Sequence, residues 1–414
     1  MISYTLYAHQ KEAIDYALNH NYSINSMAMG CGKTLVAIEL IKRTGLRALV
    51  VAPSSLLNTW KSELEKFSKL KGNICKKYQP TKEGVVSICS YSSLKKTEKL
   101  FDEVDLVIAD EVHYLKNLDT KRTRYFHEYL EKYSPKRFLG LTGTPIKNRI
   151  VEWFSLIALC SYNPEDNSGE NISINFPNYW KFARTFCFEK TFMVRGRRVT
   201  KFEGHRNVDR LKTLLEGKYF RVRASDVLDL PPLTRKDILI DTDSIDHDLL
   251  RAWEEGNKNK SFMKSKVNSA MIKVPHTVKY VKDLQDQGET PILIFSAHVD
   301  SAKDIAKRLN FPYITGATPM EDRNILVDKF QEGKLPGLSA TIGALSVGVT
   351  LTRASNLIFN DLPFVPGDIA QAEKRIHRIG TTKHCTIHRI LWGKVDIHIC
   401  KALDKKIETL VEVL

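Results

Sequence analysis

Short apolar runs alternate with amphipathic stretches over much of this chain. A helical pattern at residues 59–70 lies between two of the apolar runs. Strands that are apolar on both faces, with helices between them, indicate a parallel sheet covered on both sides. In the first part of the chain, the runs that read as buried strands are RALVVAP (47–53), VVSICSY (85–91), DLVIADE (105–111) and RFLGLTGT (137–144).

A second series with the same rhythm begins at PILIFSAH (291–298). Before it, residues 146–228 lose the alternation, a Pro-rich joint follows at 229–235, and a helical pattern covers 277–287. The sequence therefore predicts an α/β protein with two lobes and an embellished junction. The second series continues through LPGLSAT (335–341), NLIFNDLP (356–363) and TIHRILW (386–392).

Positive charge dominates the chain and is concentrated in one segment. The 414 residues carry a formal net charge of +15, which favours a polyanionic partner such as nucleic acid. Residues 190–223 hold 11 Lys or Arg against 3 acids, so this segment alone carries +8. Within it, residues 191–202 predict a hairpin that turns at Arg195 and Gly196. We expect this segment to contact phosphates, with a structural prop between the lobes as the alternative role of the hairpin.

Composition disfavours several classes of protein. No run reaches the roughly 18 apolar residues of a membrane span, and the first ten residues lack a signal-peptide pattern. The seven cysteines are scattered without a CxxC pair, which fits a reducing compartment better than a disulfide framework. We therefore expect no membrane association, and a location in the cytoplasm of a bacterial or phage-infected cell, or in the nucleus of a eukaryotic one.

Residues 25–41, NSMAMGCGKTLVAIELI, have the pattern of a phosphate-binding loop that opens a helix. Gly30 and Gly32 permit the tight turn that directs backbone N–H groups at phosphate oxygens. Lys33 would reach the β- and γ-phosphates, and the helix N-terminus adds a favourable dipole. The strict pattern has a small residue where this chain has Met27. The remaining predicted contacts of the loop are Met29 and Cys31 with the nucleotide, and Thr34 with Mg²⁺.

Two further segments carry residue types suited to nucleotide hydrolysis. A buried strand ends in Asp110 and Glu111, which places the first near a metal ion and the second where it can orient or deprotonate water. The next strand ends in LTGTPIKNR (141–149), where Thr142 and Thr144 could sense the acid pair and relay its state to DNA. From the residues alone, that loop could equally be a simple strand exit.

A basic helical stretch, QAEKRIHRIG, covers residues 371–380. It would place Arg375 and Arg378 on neighbouring positions of one helix face. Two arginines so placed can reach a γ-phosphate and stabilise its developing charge. From the residues alone, a solvated basic helix stays an alternative.

In this order, MGCGKT, DEVH, LTGTPIKNR and QAEKRIHRIG resemble the motifs of the superfamily-two helicases, and more narrowly the Swi/Snf-type ATPases that translocate on duplex DNA. The resemblance covers nearly the whole chain, and the form SVGVTLT is most similar to the annealing-helicase branch and to small phage and bacterial members. It implies two RecA-like lobes, each a parallel sheet flanked by helices, with a basic, mixed helical and hairpin insertion at their junction. The predicted domains are a first, ATP-binding lobe (1–150), the insertion packed on it (151–228), a linker with the helical start of the second lobe (229–285), and the second, C-terminal helicase lobe (286–414).

The resemblance also implies roles for individual residues around the nucleotide. LYAHQKEAIDYAL (6–18) looks like the adenine-recognition element, which puts His9 and Gln10 beside the base. Arg378 would be the arginine finger, and the family often has Gln where this chain has Thr381. Two further nucleotide contacts implied by the resemblance are Gly348 and Gln371.

The predicted DNA contacts come from motifs of both lobes and from the basic insertion. VVAPSSLLNTW (50–60) and CSYSSL (89–94) look like the two DNA-contacting motifs of the first lobe. The predicted contacts are Ser54, Ser90, Tyr91, Lys147, Arg195, Arg197, Arg198, Arg206 and Thr341.

The resemblance implies an ATP-dependent translocase on duplex or branched DNA that regresses forks or migrates Holliday junctions, with ATP and Mg²⁺ as cofactors. We expect a monomer whose protein partners, where it has them, act in replication or recombination. One alternative is a protein–DNA remodeller or a restriction or defence ATPase that translocates on duplex DNA without processing branches. Another is a non-catalytic DNA-binding scaffold. The intact set of Lys33, Asp110, Glu111, Arg375 and Arg378 argues against the scaffold.

Overall fold

A computed structural model describes most of the chain as two compact units. The first unit runs to residue 228, and the second extends from residue 229 to residue 408. No helix in the described parts is long and apolar enough to cross a membrane. The described residues are 4–28, 30–146, 149–162, 179–194, 197–227, 229–240, 260–345, 349–363 and 365–413.

The first unit is built on a seven-stranded parallel sheet with the strand order β3-β4-β2-β5-β6-β1-β9. The strands of this unit are β1 (Tyr22–Met27), β2 (Ala48–Ala52), β3 (Lys71–Ile74), β4 (Val85–Ser90), β5 (Leu106–Asp110), β6 (Arg137–Thr142), β7 (Phe188–Val194), β8 (Arg197–Glu203) and β9 (Tyr219–Val222). Its helices are α1 (Ala8–Asn19), α2 (Lys33–Thr44), α3 (Leu57–Phe67), α4 (Leu94–Thr97), α5 (Leu100–Glu103), α6 (Lys121–Tyr133), α7 (Trp153–Cys160), α8 (Tyr179–Phe186), α9 (Val208–Leu215) and α10 (Ala224–Val227).

The four apolar runs predicted as buried strands in this unit are β2, β4, β5 and β6. Strands β2 and β5 are buried along their whole length, as expected for a sheet covered on both faces. Because the strands are parallel, their carboxyl ends meet at one edge of the sheet. The phosphate-binding loop after β1, the acids at the end of β5 and the loops after β2, β4 and β6 therefore lie along one edge of this sheet.

The hairpin in the basic insertion consists of β7 and β8. The two strands are antiparallel, and Val194 pairs with Arg197 at the end nearest their connection. This pairing confirms the predicted hairpin. Residues 195 and 196, where we predicted the turn, lie outside the described residues.

The second unit is built on a six-stranded parallel sheet with the order β10-β15-β14-β11-β13-β12. Its strands are β10 (Leu233–Ile240), β11 (Ile292–Ser296), β12 (Tyr313–Ile314), β13 (Gly337–Thr341), β14 (Asn356–Phe359) and β15 (Cys385–Trp392). The helices of this part of the chain are α11 (Lys260–Asp286), α12 (Val299–Leu309), α13 (Met320–Gln331), α14 (Pro366–Glu373) and α15 (Gly393–Val413).

Two parallel sheets flanked by helices confirm the predicted fold class, two RecA-like lobes. Some strands were missed. Strand β1 buries Ser23, Asn25 and Ser26, which hide its apolar character in the sequence. Inside the fold, the Asn25 side chain is satisfied because its Nδ2 donates to the Ala13 carbonyl at 3.1 Å.

Candidate nucleotide and DNA sites

The phosphate-binding loop connects β1 to α2 through two glycines in left-handed conformations. Gly30 has φ 90° and Gly32 has φ 81°, a region that glycine enters without steric cost. A Cβ atom at Gly32 would lie 2.2 Å from Nε2 of Gln10. Another residue at this position would have to adopt the strained left-handed conformation and displace the end of the Gln10 side chain. The helix begins directly after Gly32, at Lys33. Met29 lies outside the described residues.

Lys33 lies across the end of β1. Its Nζ donates to the carbonyl of Met27 at 3.0 Å. Its positive charge also lowers the pKa of Asp110, so the ammonium and this carboxyl act on each other across the sheet edge. Thr34, the next residue of α2, is half-buried. The loop and the strand-end acids thus form one polar site.

The predicted adenine element packs against the phosphate-binding loop. Nε2 of His9 lies 3.1 Å from the Cys31 carbonyl, and Nε2 of Gln10 donates to the same oxygen at 3.2 Å. Because a carbonyl only accepts, His9 must carry its proton on Nε2. The ring of Tyr7 stacks on His9 at 5.7 Å between centroids and is 63% exposed. Sequence reasoning missed Tyr7, whose ring is the exposed part of this element.

Asp110 is held by three hydrogen-bond donors of the first unit. Nε1 of Trp60 donates to its Oδ2 at 2.8 Å, and the Glu111 N–H donates to its Oδ1 at 2.9 Å. The Tyr91 hydroxyl donates to its backbone carbonyl at 2.7 Å. Burial raises the pKa of the Asp110 carboxyl, and the neighbouring Glu111 raises it further, against the hydrogen bond from Trp60 and the charge of Lys33.

A buried histidine connects the acid pair to the loop after β6. Nδ1 of His113 lies 3.1 Å from Oε2 of Glu111 and 3.1 Å from Oγ1 of Thr142. The backbone N–H of Thr144 in turn donates to Thr142 Oγ1 at 3.1 Å. Direct contacts thus connect Glu111 to the loop where we expected Thr142 to sense the acid pair.

His113 and Trp60 were both missed as site residues. The histidine is part of the DEVH motif and could have been chosen from it. Trp60 gave no signal, because it lies on α3, 50 residues before Asp110, and only the sheet order brings the two together.

The residues proposed for Mg²⁺ fit a hard cation. Thr34 and Asp110 offer hydroxyl and carboxylate oxygens, the ligands that Mg²⁺ prefers. Within the described ranges there is no group of three or more His, Cys, Asp or Glu side chains that could hold a metal. Mg²⁺ needs only one or two such protein oxygens, because it completes its shell with phosphate oxygens and water.

Ser54 and Ser90 line an open groove of about 1040 Å³. Among the described residues, the groove is lined by three lysines and by no acid. The Tyr78 N–H donates to the Lys96 carbonyl at 2.7 Å, which brings the segment after β3 against the turn after β4. The polar lining is suited to phosphates and consists of Ser54, Asn58, Lys76, Lys77, Gln79, Ser90, Ser92, Ser93 and Lys96.

Tyr91, which we predicted to contact DNA, lies in the core. Its side chain is only 4% exposed, and its ring stacks on Tyr114 with 5.5 Å between centroids. Its hydroxyl is used by the Asp110 carbonyl. The structure therefore corrects this assignment: Tyr91 supports the strand end that carries Asp110.

The predicted DNA contacts of the insertion are only partly described. Arg198 is exposed on β8 and pairs with Met193, and Arg206 is exposed beyond the hairpin. The side chain of Arg197 is outside the described part, as are Lys147 and Arg195 altogether.

In the second unit the two predicted arginines do not lie on a helix. Helix α14 ends at Glu373, and both arginines follow in turns, which corrects the predicted common helix face. Arg375 is 1% exposed and donates from Nη1 to the Val349 carbonyl at 2.9 Å, whereas Arg378 is half-buried. Thr381 accepts from the Arg378 N–H at 3.1 Å and donates to the Ile376 carbonyl at 2.6 Å, so it shapes this turn.

Two other predicted residues of the second unit are described. Gln371 is buried on α14, and Thr341 ends β13 with 8% of its surface exposed. Gly348 lies outside the described residues.

Comparison with known families agrees with this arrangement. Residues 3–147 match the family "Type III restriction enzyme, res subunit", and residues 273–380 match "Helicase conserved C-terminal domain". A nucleotide-binding lobe followed by a helicase C-terminal lobe defines the class of this chain, which belongs to the superfamily-two helicase-like ATPases.

Within that class the chain is of the Swi/Snf type, as its motifs predicted. It is 28% identical over 97% of its length to the SWI/SNF-related matrix-associated actin-dependent regulator of chromatin subfamily A-like protein 1 of Xenopus tropicalis. It is 27% identical over 96% of its length to the DNA annealing helicase and endonuclease ZRANB3 of Mus musculus. The chain spans 44% of the first relative and 40% of the second, so it corresponds to less than half of either.

Proposed function

We propose that this chain is an ATP-dependent DNA translocase that acts on duplex and branched DNA and regresses forks or migrates Holliday junctions. The observation that carries the proposal is the continuous contact from the nucleotide edge to the loop after β6, through Glu111, His113 and Thr142. Such a contact is what a motor needs to convert the state of a nucleotide into a movement of a loop. The relatives named as annealing helicases support branched DNA as the substrate.

We assign the chemistry of the first unit to three side chains. Lys33 binds the β- and γ-phosphates, Asp110 together with Thr34 holds Mg²⁺, and Glu111 orients the attacking water and accepts its proton. Bound Mg²⁺ supplies neutralisation of phosphate charge. The raised pKa of Asp110 fits this role, because a divalent cation would stabilise the ionised form that burial and Glu111 disfavour.

In the second unit we assign the arginine finger to Arg378. The guanidinium of Arg375 already donates to Val349 within its own unit, and its side chain is buried. Arg378 is half-buried, so part of its side chain is available to a ligand. We also keep the predicted domains as a proposal, with residues 151–228 as an insertion of the ATP-binding lobe.

For DNA, we propose that the groove beside Ser54 and Ser90 binds the phosphate backbone. Hydroxyl, amide and lysine groups make contacts that are independent of sequence and weaken with salt. The proposed substrate would place the protein with the DNA, in the nucleus of a eukaryotic cell or in the cytoplasm of a bacterial or phage-infected one.

One observation favours a second candidate. The family matched by residues 3–147 is described by the restriction subunit of type III enzymes. A restriction or defence ATPase, or a protein–DNA remodeller, would translocate on plain duplex and leave branches unprocessed.

The deciding measurement is the ATPase rate at one fixed salt concentration without DNA and with single strands, blunt duplex, a fork and a four-way junction. Native gels of labelled fork and junction follow. We expect stimulation by duplex and branched DNA and ATP-dependent movement of branches. Stimulation by blunt duplex without branch processing would support the second candidate instead.

Two variants test the assigned nucleotide site within the same assay. Lys33→Ala and Glu111→Gln should lower turnover by about 100-fold or more, since they remove a phosphate contact and the general base. Lys61→Ala, on the exposed side of α3, is the matched control. Normal turnover in either site variant would refute the assignment.

A further inference from the structure

One face of the hairpin packs on the first unit near the base of the hairpin, and the opposite face carries two aromatic rings. Side chains alternate between the faces of a strand, and residues paired across two strands share a face. Phe202, paired with Glu189, is 3% exposed, and its ring lies 5.5 Å from Trp180 on α8. That face is therefore covered near the base of the hairpin. The described side chains of the opposite face, which we call the open face, are Phe188, Lys190, Phe192, Val199, Lys201 and Glu203.

The open face alternates rings with cations. Phe188 is 54% exposed and Phe192 is half-buried. Nζ of Lys201 lies 4.7 Å from the Phe192 ring centre, and the Arg206 guanidinium lies 5.9 Å from that of Phe188. The face therefore has two ring–cation pairs, about 13 Å apart along β7 at the usual strand rise.

The charge of the open face is positive. Lys190 forms an ion pair with Glu203 at 2.9 Å. Lys201 and Arg206 instead lie over the rings of Phe192 and Phe188. A nucleotide with an unpaired base offers a flat π-face and a phosphate, which match a ring and a neighbouring cation. A paired duplex hides its base faces, so it can satisfy the cations but not the rings.

We propose that the open face of the hairpin binds unpaired DNA by stacking bases on Phe188 and Phe192, with Lys201 and Arg206 at the adjoining phosphates. This rests on the proposed function and deepens it, because it names the strand form that the insertion recognises at a fork. The proposal places the recognition of unpaired DNA on the open face of the two strands and not on the arginines near the hairpin turn.

The test compares full-length variants by fluorescence anisotropy at fixed salt, with labelled oligothymidylate, a blunt duplex of equal length and a fork with unpaired arms. Phe188→Ala combined with Phe192→Ala should weaken binding to oligothymidylate and fork by about 5-fold or more for each lost stack. Affinity for the blunt duplex and the ATPase rate it stimulates should stay unchanged. Met193→Ala, an exposed apolar residue on the other face, is the matched control.

Phe188→Leu with Phe192→Leu separates stacking from apolar contact, and this variant should lose affinity nearly as strongly as the alanine pair. Wild-type affinity of the alanine pair for fork and oligothymidylate would overturn the proposal and leave the face to a protein partner. An equal loss on blunt duplex would overturn it too, because the rings would then be structural. The proposed function fails by a different result, an ATPase that no DNA stimulates in the wild type.

Discussion

At the scale of single residues, Asp110 and Glu111 occupy energetically unfavourable positions. Glu111 has φ 50°, a left-handed conformation that costs a non-glycine residue about 1–3 kcal/mol. The same residue raises the pKa of its buried neighbour Asp110. Neither feature stabilises the fold, which is typical of residues arranged for chemistry. The His113 ring lies against the Glu111 carboxylate and also contacts the Thr142 hydroxyl.

Thr142→Val should separate ATP hydrolysis from its stimulation by DNA. Valine keeps the shape of the buried side chain but removes the hydroxyl that contacts His113 and accepts from the Thr144 N–H. We expect DNA stimulation to fall by about 2- to 30-fold, the usual range for a lost coupling contact, with basal turnover less affected. Steady-state ATPase assays with and without duplex measure it. Thr142→Ser keeps the hydroxyl and serves as control; equal stimulation of Thr142→Val and wild type would exclude the relay.

Gly32→Ala should abolish nucleotide binding, whereas Gly45→Ala should not. Both glycines are left-handed, with φ 81° and 62°, so alanine costs about 1–2 kcal/mol at either position. Only at Gly32 would the new Cβ also collide with Gln10; at Gly45 it meets nothing within 4 Å. Titration with a fluorescent ATP analogue and urea unfolding check the two effects. Normal nucleotide affinity of the Gly32 variant would contradict the geometry of the loop.

At the scale of elements, the sequence predicted those strands and helices that a local residue pattern defines. Buried runs gave β2, β4, β5 and β6, and the hairpin of β7 and β8 was predicted from its alternation. Strand β9 was missed because it lies in the basic insertion and pairs with β1, almost 200 residues away. The spacing of Arg375 and Arg378 predicted a common helix, but α14 ends at Glu373. Beyond this end, the Arg375 carbonyl accepts a hydrogen bond from the Leu351 N–H.

The candidate site divides in the same way. Gly30, Gly32 and Lys33 were readable because the loop is contiguous in sequence, and so were the acids at the end of β5. The supports of Asp110 were not readable, since Trp60 and Tyr91 reach it from α3 and from the turn after β4. A DNA role for Tyr91 followed its motif, and burial of the ring excludes it. Contacts across the sheet edge depend on the order of the strands, and a local sequence pattern does not predict that order.

Stability of the parallel sheets should fall as the pH is lowered from about 6.5 toward 4. Burial lowers the pKa of His127, on α6, and of His388, on β15, to about 4. The histidines of the unfolded chain titrate near 6.5, so the unfolded chain binds more protons in this interval and the free energy of unfolding falls as the pH is lowered. Urea midpoints from pH 7.5 to 5 measure it. His388→Gln should be less stable at pH 7.5 but lose less on acidification.

Two side-chain contacts hold the buried ring of His388 in place. Its Nδ1 lies 2.9 Å from the Tyr280 hydroxyl and its Nε2 lies 2.9 Å from Oδ1 of Asn356, within the second unit. His384→Gln, an exposed neighbour, should leave the wild-type pH dependence intact. The same loss of stability in His388→Gln as in wild type would show that other groups cause the acid sensitivity.

At the scale of the whole molecule, net charge sets how strongly any DNA is attracted, and its placement decides which charges are used. The chain has +15 in total, of which +8 lies in residues 190–223. The groove beside Ser54 adds three lysines of the first unit, and acids are absent from its lining. A solution measurement can separate charges that touch phosphates from those that only raise the potential, because only the former release condensed counterions on binding.

Lys76→Ala with Lys77→Ala should reduce the salt dependence of duplex binding. Each lysine that neutralises a phosphate contributes about 0.9 to the slope of log affinity against log salt, so losing two lowers its magnitude by about 2. Lys279→Ala with Lys282→Ala, two exposed lysines of α11, is the control, because either pair changes the net charge from +15 to +13. Anisotropy titrations with blunt duplexes of two unrelated sequences over a salt series measure both. If only the groove variant has a smaller slope, and the slope is the same for both DNA sequences, the groove contacts the DNA backbone. If the two variants have equal slopes, the groove lysines act only through the net charge, and the groove does not bind DNA.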